Sequence, residues 1–246
     1  MSVDVLAFGP HPDDVEIRCG GLLLRCIESG RSAAIVDITR GETGTRGTAD
    51  ERAEEAEQGR RTLGVAVREN LGLPDGFVEP TREAKLAVVA TLRRHRPALV
   101  LAPYPRDLHP DHAATGRLVE GSLFLAGLRK VGEGEPHRPT TLLFYMCHHP
   151  FVPTLVVDVT SVFDRKLQAI RCYGSQLHRP GVDAPRTDIG SPDFEERLVA
   201  WHRTYGTQVG VRYGEPYFAH RPLGIQDPAS ALLDPAPEHF PPERSP

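Results

Sequence analysis

The sequence predicts an α/β protein with a Rossmann-like, mostly parallel sheet, helices on both faces and a single domain. Three observations carry this. Short apolar runs alternate with longer amphipathic segments through the first half of the chain, as successive strand–helix units do. The runs end at turn residues and read as buried strands. The 246 residues suffice for one large core, and no long linker divides them.

Val3 to Phe8 is an apolar run that stops at Gly9-Pro10 and reads as the first strand. Gly20 to Ser29 reads as a helix, with Leu22, Leu23, Cys26 and Ile27 as its stripe and Gly30 as its stop. Ala33 to Ile38 is the second strand. Asp50 is a suitable N-cap for a charged helix from Glu51 to Leu63. Val65 to Leu71 is the third strand, and Thr81 caps a helix that ends near Arg96, before Pro97. Leu99 to Ala102 is the fourth strand, and Asp111 to Leu128 the helix after it. The second half is less regular. Thr140 to Cys147 and Thr154 to Val159 read as strands, and Val162 to Tyr173 and Phe194 to Tyr205 as helices. Residues 1–226 are expected to form the domain and the Pro-rich stretch 227–246 an irregular extension. No repeat of solenoid length is present.

Composition narrows the function. With 39% apolar residues and a net charge of -4, the chain reads as an ordinary soluble protein. It lacks a Lys/Arg block, so neither nucleic acid nor an anionic membrane is an expected partner. The N-terminus does not read as a signal peptide, and no apolar run approaches the ~20 residues of a membrane helix. The expected compartment is the cytoplasm. Cys19, Cys26, Cys147 and Cys172 form no C-x-x-C pair and read as thiols rather than a disulfide or zinc framework.

The sharpest pattern occurs twice. His11-Pro12-Asp13-Asp14 follows the first strand, and His109-Pro110-Asp111-His112 follows the fourth. Each proline fixes its own φ and biases the preceding histidine toward extended backbone, which stiffens the turn. In an open parallel sheet ligands bind beyond the carboxyl ends of the strands, so the two clusters can meet in one crevice. Imidazole and carboxylate without cysteine suit a catalytic Zn²⁺ with a position left for water. A nucleotide is disfavoured, because no G-x-G-x-x-G follows the first strand and carboxylates stand where phosphate would sit.

These residues resemble the LmbE/PIG-L-type deacetylases. The resemblance rests on Pro10 to Ile17, on Cys19-Gly20-Gly21 and on His109 to His112, and spans roughly residues 3 to 220. Further segments resemble the bacillithiol-biosynthesis branch, which deacetylates N-acetylglucosaminyl-malate. They are Thr39 to Glu42, Gly44 to Thr48, Arg68 to Gly76 and Val157 to Thr160. The resemblance implies zinc ligation by His11, Asp14 and His112, with Asp13 as general base. It implies that His109 stabilises the oxyanion as a cation, oriented or charged by Asp111. Arg52 falls where the family keeps a sugar-contacting arginine, and Tyr205 matches a tyrosine near the site. Arg40, Arg46 and Arg52 are candidates for holding an acidic aglycone. Arg18 departs from the small residue expected between Ile17 and Cys19, and residues 178–204 depart from the simplest pattern.

The implied substrate is a small N-acetylated amino-sugar glycoside, and the implied assembly is a homotrimer or hexamer. Two alternatives stay open. One is a deacetylase or amidase of another N-acetylglucosamine conjugate, mycothiol-type or chitooligosaccharide. The other is a metal-free binding module on a flavodoxin-like fold.

Overall fold

A computed structural model describes residues 2–182 and 184–224. The expected alternation is present as β1 (Val5–Gly9), α1 (Asp14–Glu28), β2 (Ala33–Asp37), α2 (Ala49–Leu63), β3 (Val67–Asn70), α3 (Arg82–His95), β4 (Leu99–Pro103) and α4 (Pro110–Ala126). β5 (Thr141–Tyr145), β6 (Leu155–Asp158), α5 (Phe163–Ile170), α6 (Phe194–Thr207) and β7 (Gly214–Phe218) complete it. Among the described residues the sheet has seven strands, in the order β3-β2-β1-β4-β5-β7-β6. The first five run parallel, and β7 is antiparallel to both its neighbours.

Alternation along β1 explains the two-layered core. Val5 and Ala7 join a cluster with Ile17 and Leu23 of α1, Phe163 and Ile170 of α5 and Leu198 of α6. Leu6 and Phe8 join the opposite cluster, with Val88 and Leu92 of α3 and Leu118 and Val119 of α4. Both faces of the central strands are therefore covered, which accounts for their uninterrupted apolar sequence.

Three elements differ from expectation. α1 starts at Asp14, not Gly20. Its first turn is polar, yet Glu16 is fully buried and accepts from Arg68 Nη1 and Tyr173 Oη at 2.5 and 2.9 Å. A tertiary network hides that turn from any periodicity count. α2 starts at Ala49 with Thr48 as its N-cap, not Asp50. Thr48 and Glu51 form a reciprocal capping box at 2.7 and 3.1 Å, satisfying two helix-end donors at once. β7 lies outside the sequence expectation, because Glu215 and Pro216 interrupt its apolar run; pairing with β5 and β6 defines it. The Pro-rich stretch 227–246 lies outside the described residues. No described helix is long and apolar enough to cross a membrane.

Candidate active site

The site lies where the strand order reverses. β1 and β4 are parallel neighbours, and the chain leaves their carboxyl ends toward opposite faces of the sheet, opening a crevice. The His11–Asp14 turn and the His109–His112 turn meet there. His11 Nδ1 lies 3.1 Å from Asp14 Oδ2, and His112 Nε2 lies 3.3 Å from the same oxygen. Tetrahedral zinc with bonds of about 2.1 Å would set its ligand atoms about 3.4 Å apart. His11, Asp14 and His112 are therefore grouped closely enough to hold such an ion.

The remaining nitrogen of each imidazole faces a carboxylate. His11 Nε2 lies 3.0 Å from Asp75 Oδ1 and 3.3 Å from Asp111 Oδ2. His112 Nδ1 is sealed from solvent without a hydrogen-bond partner, and Asp107 Oδ1 faces it at 3.6 Å. A carboxylate behind an imidazole fixes the ring and raises its basicity as a ligand. Burial disfavours charge on His11, but bonds to Asp111, Asp14 and Asp75 outweigh it and raise its pKa well above the usual value. So many carboxylates converging on one imidazole, 12% exposed, make the pocket strongly electronegative. Its donor set and its charge both fit a divalent cation.

Asp13 is separated from this cluster by its backbone. Its φ of 116° lies in a region that non-glycine residues rarely occupy, and such strain concentrates at functional sites. Its side chain is buried, and Arg52 Nη2 donates to Oδ2 at 3.0 Å. Burial raises the carboxyl to about 7, with Arg52 opposing. The same Arg52 nitrogen donates to Pro12 O at 2.6 Å. The guanidinium also threads past Gly41, whose φ is +68° and where a Cβ would collide with Nη1; glycine accommodates both demands.

His109 caps α4, and its Nδ1 accepts the Asp111 N–H at 3.2 Å. That leaves the proton of the neutral ring on Nε2. Asp111, expected to orient or charge His109, meets that ring through its backbone N–H and not through its carboxylate. Its carboxylate is turned to His11 and to the N–H groups of Gly76 and Val78, at 3.3, 2.7 and 3.1 Å. Burial, followed by the nearby His112 and His11, lowers the His109 pKa.

The other expected residues are placed as follows. Arg46 is buried and donates to Leu177 O at 2.9 Å and Gly190 O at 3.4 Å, stapling two loops. Arg40 pairs with Asp50 at 2.7 Å on the surface. Tyr205 Oη donates to Met146 Sδ at 3.1 Å, just beyond β5. Asp75, Asp107 and His148 escaped sequence reasoning. Asp75 is oriented by Thr43, whose N–H and hydroxyl both donate to it at 2.8 Å. Asp107 accepts from the N–H groups of His109, His148 and His149 at 3.0, 2.8 and 3.1 Å, and meets His148 Nδ1 at 2.9 Å. The one available signal for Asp107 was its place two residues before His109.

A Rossmann-like sheet with a histidine–aspartate centre at its switch point defines a metal-competent hydrolytic scaffold. The chain belongs to the PIG-L family of N-deacetylases. The family described as PIG-L: GlcNAc-PI de-N-acetylase matches residues 6–122. Diacetylchitobiose deacetylase of Thermococcus kodakarensis is 32% identical over 227 residues, 86% of this chain and 80% of that protein. Among solved structures, the conserved protein TT1542 from Thermus thermophilus has 41% identity and a TM-score of 0.83, covering 91% of this chain and 97% of that one. N,N'-diacetylchitobiose deacetylase from Pyrococcus horikoshii has 30% identity and a TM-score of 0.76, covering 88% and 83%. The protein is a hydrolase of N-acetyl groups, from a family whose deacetylases are generally zinc-dependent.

Proposed function

We propose that the protein removes the acetyl group of N-acetyl-α-D-glucosaminyl L-malate, giving acetate and glucosaminyl-malate, the deacetylation step of bacillithiol biosynthesis. One observation carries the hydrolytic part of this reading. Two adjacent carboxylates are split by one strained residue, so that Asp14 faces the histidine cluster while Asp13 is held aside by Arg52. The malate part rests on the sequence segments that resemble the bacillithiol branch.

His11, Asp14 and His112 would hold zinc, which supplies a lowered water pKa, toward ~7, and polarises the acyl oxygen. Asp13 takes the proton of the attacking water, and its pKa of about 7 suits that task at neutral pH. Arg52 keeps the accepting oxygen in place. His109 donates Nε2–H to the acyl oxygen as negative charge develops there, a role that a neutral imidazole can fill. Asp13 then returns the proton to the departing amine. His11 and His112 are held by Asp75, Asp111 and Asp107 throughout.

Acetate release from the malyl glycoside, N,N'-diacetylchitobiose and free N-acetylglucosamine, with and without chelator, tests the proposal. The malyl glycoside is expected to be cleaved best, with activity lost on chelation and restored by zinc. Equal cleavage of free N-acetylglucosamine would remove malate from the assignment. Activity indifferent to chelation would remove the metal. The similarity to diacetylchitobiose deacetylases favours a second reading, a neutral chitooligosaccharide, and preference for the disaccharide in this panel would establish it. Assembly as a trimer or hexamer belongs to the same proposal and is checked by sedimentation.

A further inference from the structure

Arg18 stands apart from the arginines on or beside the loop after β2. Those three are already engaged. Arg40 pairs with Asp50, Arg46 donates to two carbonyls, and Arg52 is bound to Asp13 and Pro12 O. Among the described residues, Arg18 has no hydrogen bond and no ion pair, and its Nε is closed off from solvent without an acceptor. A guanidinium carries five donors in a rigid planar fork and stays charged at any ordinary pH. Leaving it partly buried and unpaired is unfavourable unless something else supplies the acceptor.

Its position points to what that is. Arg18 lies four residues after Asp14 in α1, on the same helix face one turn on. Helical side chains lean toward the helix N-terminus, so this one runs back toward the turn bearing Asp13 and Asp14. Gly21, one turn further along that face, is bonded to Glu215 of β7, so the face looks toward β5 and β7. The Arg18 charge acts on Tyr145 and Cys147 at the carboxyl end of β5. Cys147 in turn groups with Asp107 and His112. An unpaired cation thus sits at the β5 side of the crevice, across from the Arg52 side.

We propose that Arg18 is a specificity residue that binds a carboxylate of the substrate. This rests on the deacetylase reading and deepens it, replacing Arg40, Arg46 and Arg52 as the cation that selects an acidic substrate. The carboxylate can belong to the aglycone or to the acyl group, and the fork chemistry is the same for both.

The test compares zinc-loaded wild type, Arg18→Gln and Arg18→Lys on three substrates. These are N-acetylglucosaminyl-malate, acidic on the aglycone; N-succinylglucosamine, acidic on the acyl group; and neutral N,N'-diacetylchitobiose. In Arg18→Gln the ratio of kcat/KM for an acidic over the neutral substrate should fall about 10- to 100-fold, the scale of a charge-assisted bond, with KM carrying the change. Arg18→Lys should recover part of it. The acidic substrate that shows the fall identifies which carboxylate is bound. A ratio unaltered in Arg18→Gln for both acidic substrates overturns the proposal, as does a change carried wholly by kcat. Calorimetric titration with L-malate and with succinate reads the same contact without turnover. Weaker binding of either by Arg18→Gln supports the proposal even if wild type hydrolyses none of the three, which would sink the deacetylase reading alone. Equal binding of both acids by wild type and variant overturns the assignment of Arg18.

Discussion

Asp13 and Asp14 are the same side chain in consecutive positions, and the backbone gives them different surroundings. Asp14 opens α1 and lies against two imidazoles, which hold its pKa well below the usual carboxylate value despite its burial. Asp13 has a guanidinium at one oxygen and burial around it, and rises to about 7. Asp13→Asn should therefore keep its metal and lose turnover, since an amide cannot accept the proton. A fall in kcat of ~10²–10⁴ is expected, and near-normal turnover with zinc bound would transfer the base role elsewhere. His109→Ala should likewise retain zinc, because Nδ1 accepts the Asp111 N–H and the variant leaves the His11–Asp14–His112 group whole, although His109 also groups with His11 and Asp111. Its kcat should fall by ~10²–10³, the effect of losing one oxyanion donor. Burial, followed by the neighbouring His112 and His11, lowers the His109 pKa and so favours the neutral ring. Its titration belongs to the acid side of the profile, so the alkaline limb should survive in this variant. Disappearance of that limb would restore a cationic His109.

At the scale of elements, the site depends on one carboxylate that joins two turns. Asp107 gathers the backbone of the turn after β4 and of the segment after β5, and faces the imidazoles of His112 and His148. Asp107→Asn places an amide among donors while keeping the shape. Zinc affinity, measured by competition with a chromogenic chelator, should drop about 10- to 100-fold, as when an outer partner of a metal histidine is lost. Unchanged affinity would mean that His112 is oriented without Asp107. Such carboxylates show why the site was only partly legible. His11, Asp14, His109 and His112 stand in two tetrapeptides at strand ends, where local spacing and the strand-end rule suffice. Asp75 and Asp107 act through contacts that form only after β1, β4 and their loops assemble, and neither belongs to a recognisable spacing. The same division holds for the fold. β1 to β4 follow from apolar runs that alternate with helices. The start of α1 and the whole of β7 depend on Glu16 and Glu215, buried charges that a hydrophobic pattern counts as solvent-facing.

Glu215 also links the elements on one face of the molecule. Its carboxylate accepts from the N–H groups of Gly21 and Leu22 in α1, both at 2.8 Å, and from Lys166 Nζ of α5 at 2.5 Å. His202 of α6 approaches it at 3.9 Å, and all three ionisable groups are fully buried. Breaking such a network by removing one partner leaves a buried charge uncompensated, so the cluster ties global stability to pH. Burial, with Lys166 nearby, lowers His202 from 6.5 to about 4. Between those values the unfolded chain binds the extra proton and the folded chain does not, so stability falls as pH drops from 6.5 toward 4. Glu215 is burdened by burial, but Lys166 outweighs this and holds it at about 2, against 4.5 unperturbed. Its stabilisation is complete above 4.5 and is lost as pH falls toward 2, a lower window that does not overlap much with the first. Urea unfolding at pH 7 and pH 5 spans the window of His202 and leaves Glu215 ionised; Asp13 and His11 also titrate differently in the folded chain there, so comparison with a His202 variant isolates the histidine. Its contribution to the loss on acidification should be about 2 kcal/mol, of order 3 kcal/mol once pH reaches 4. His202→Gln retains a group able to donate to Leu198 O, which His202 Nδ1 contacts at 2.8 Å, but it cannot titrate. The variant should therefore lose about 2 kcal/mol less than wild type between the two pH values. Parallel losses in the two proteins would mean that His202 is already protonated in the folded state, with its charge offset by Glu215.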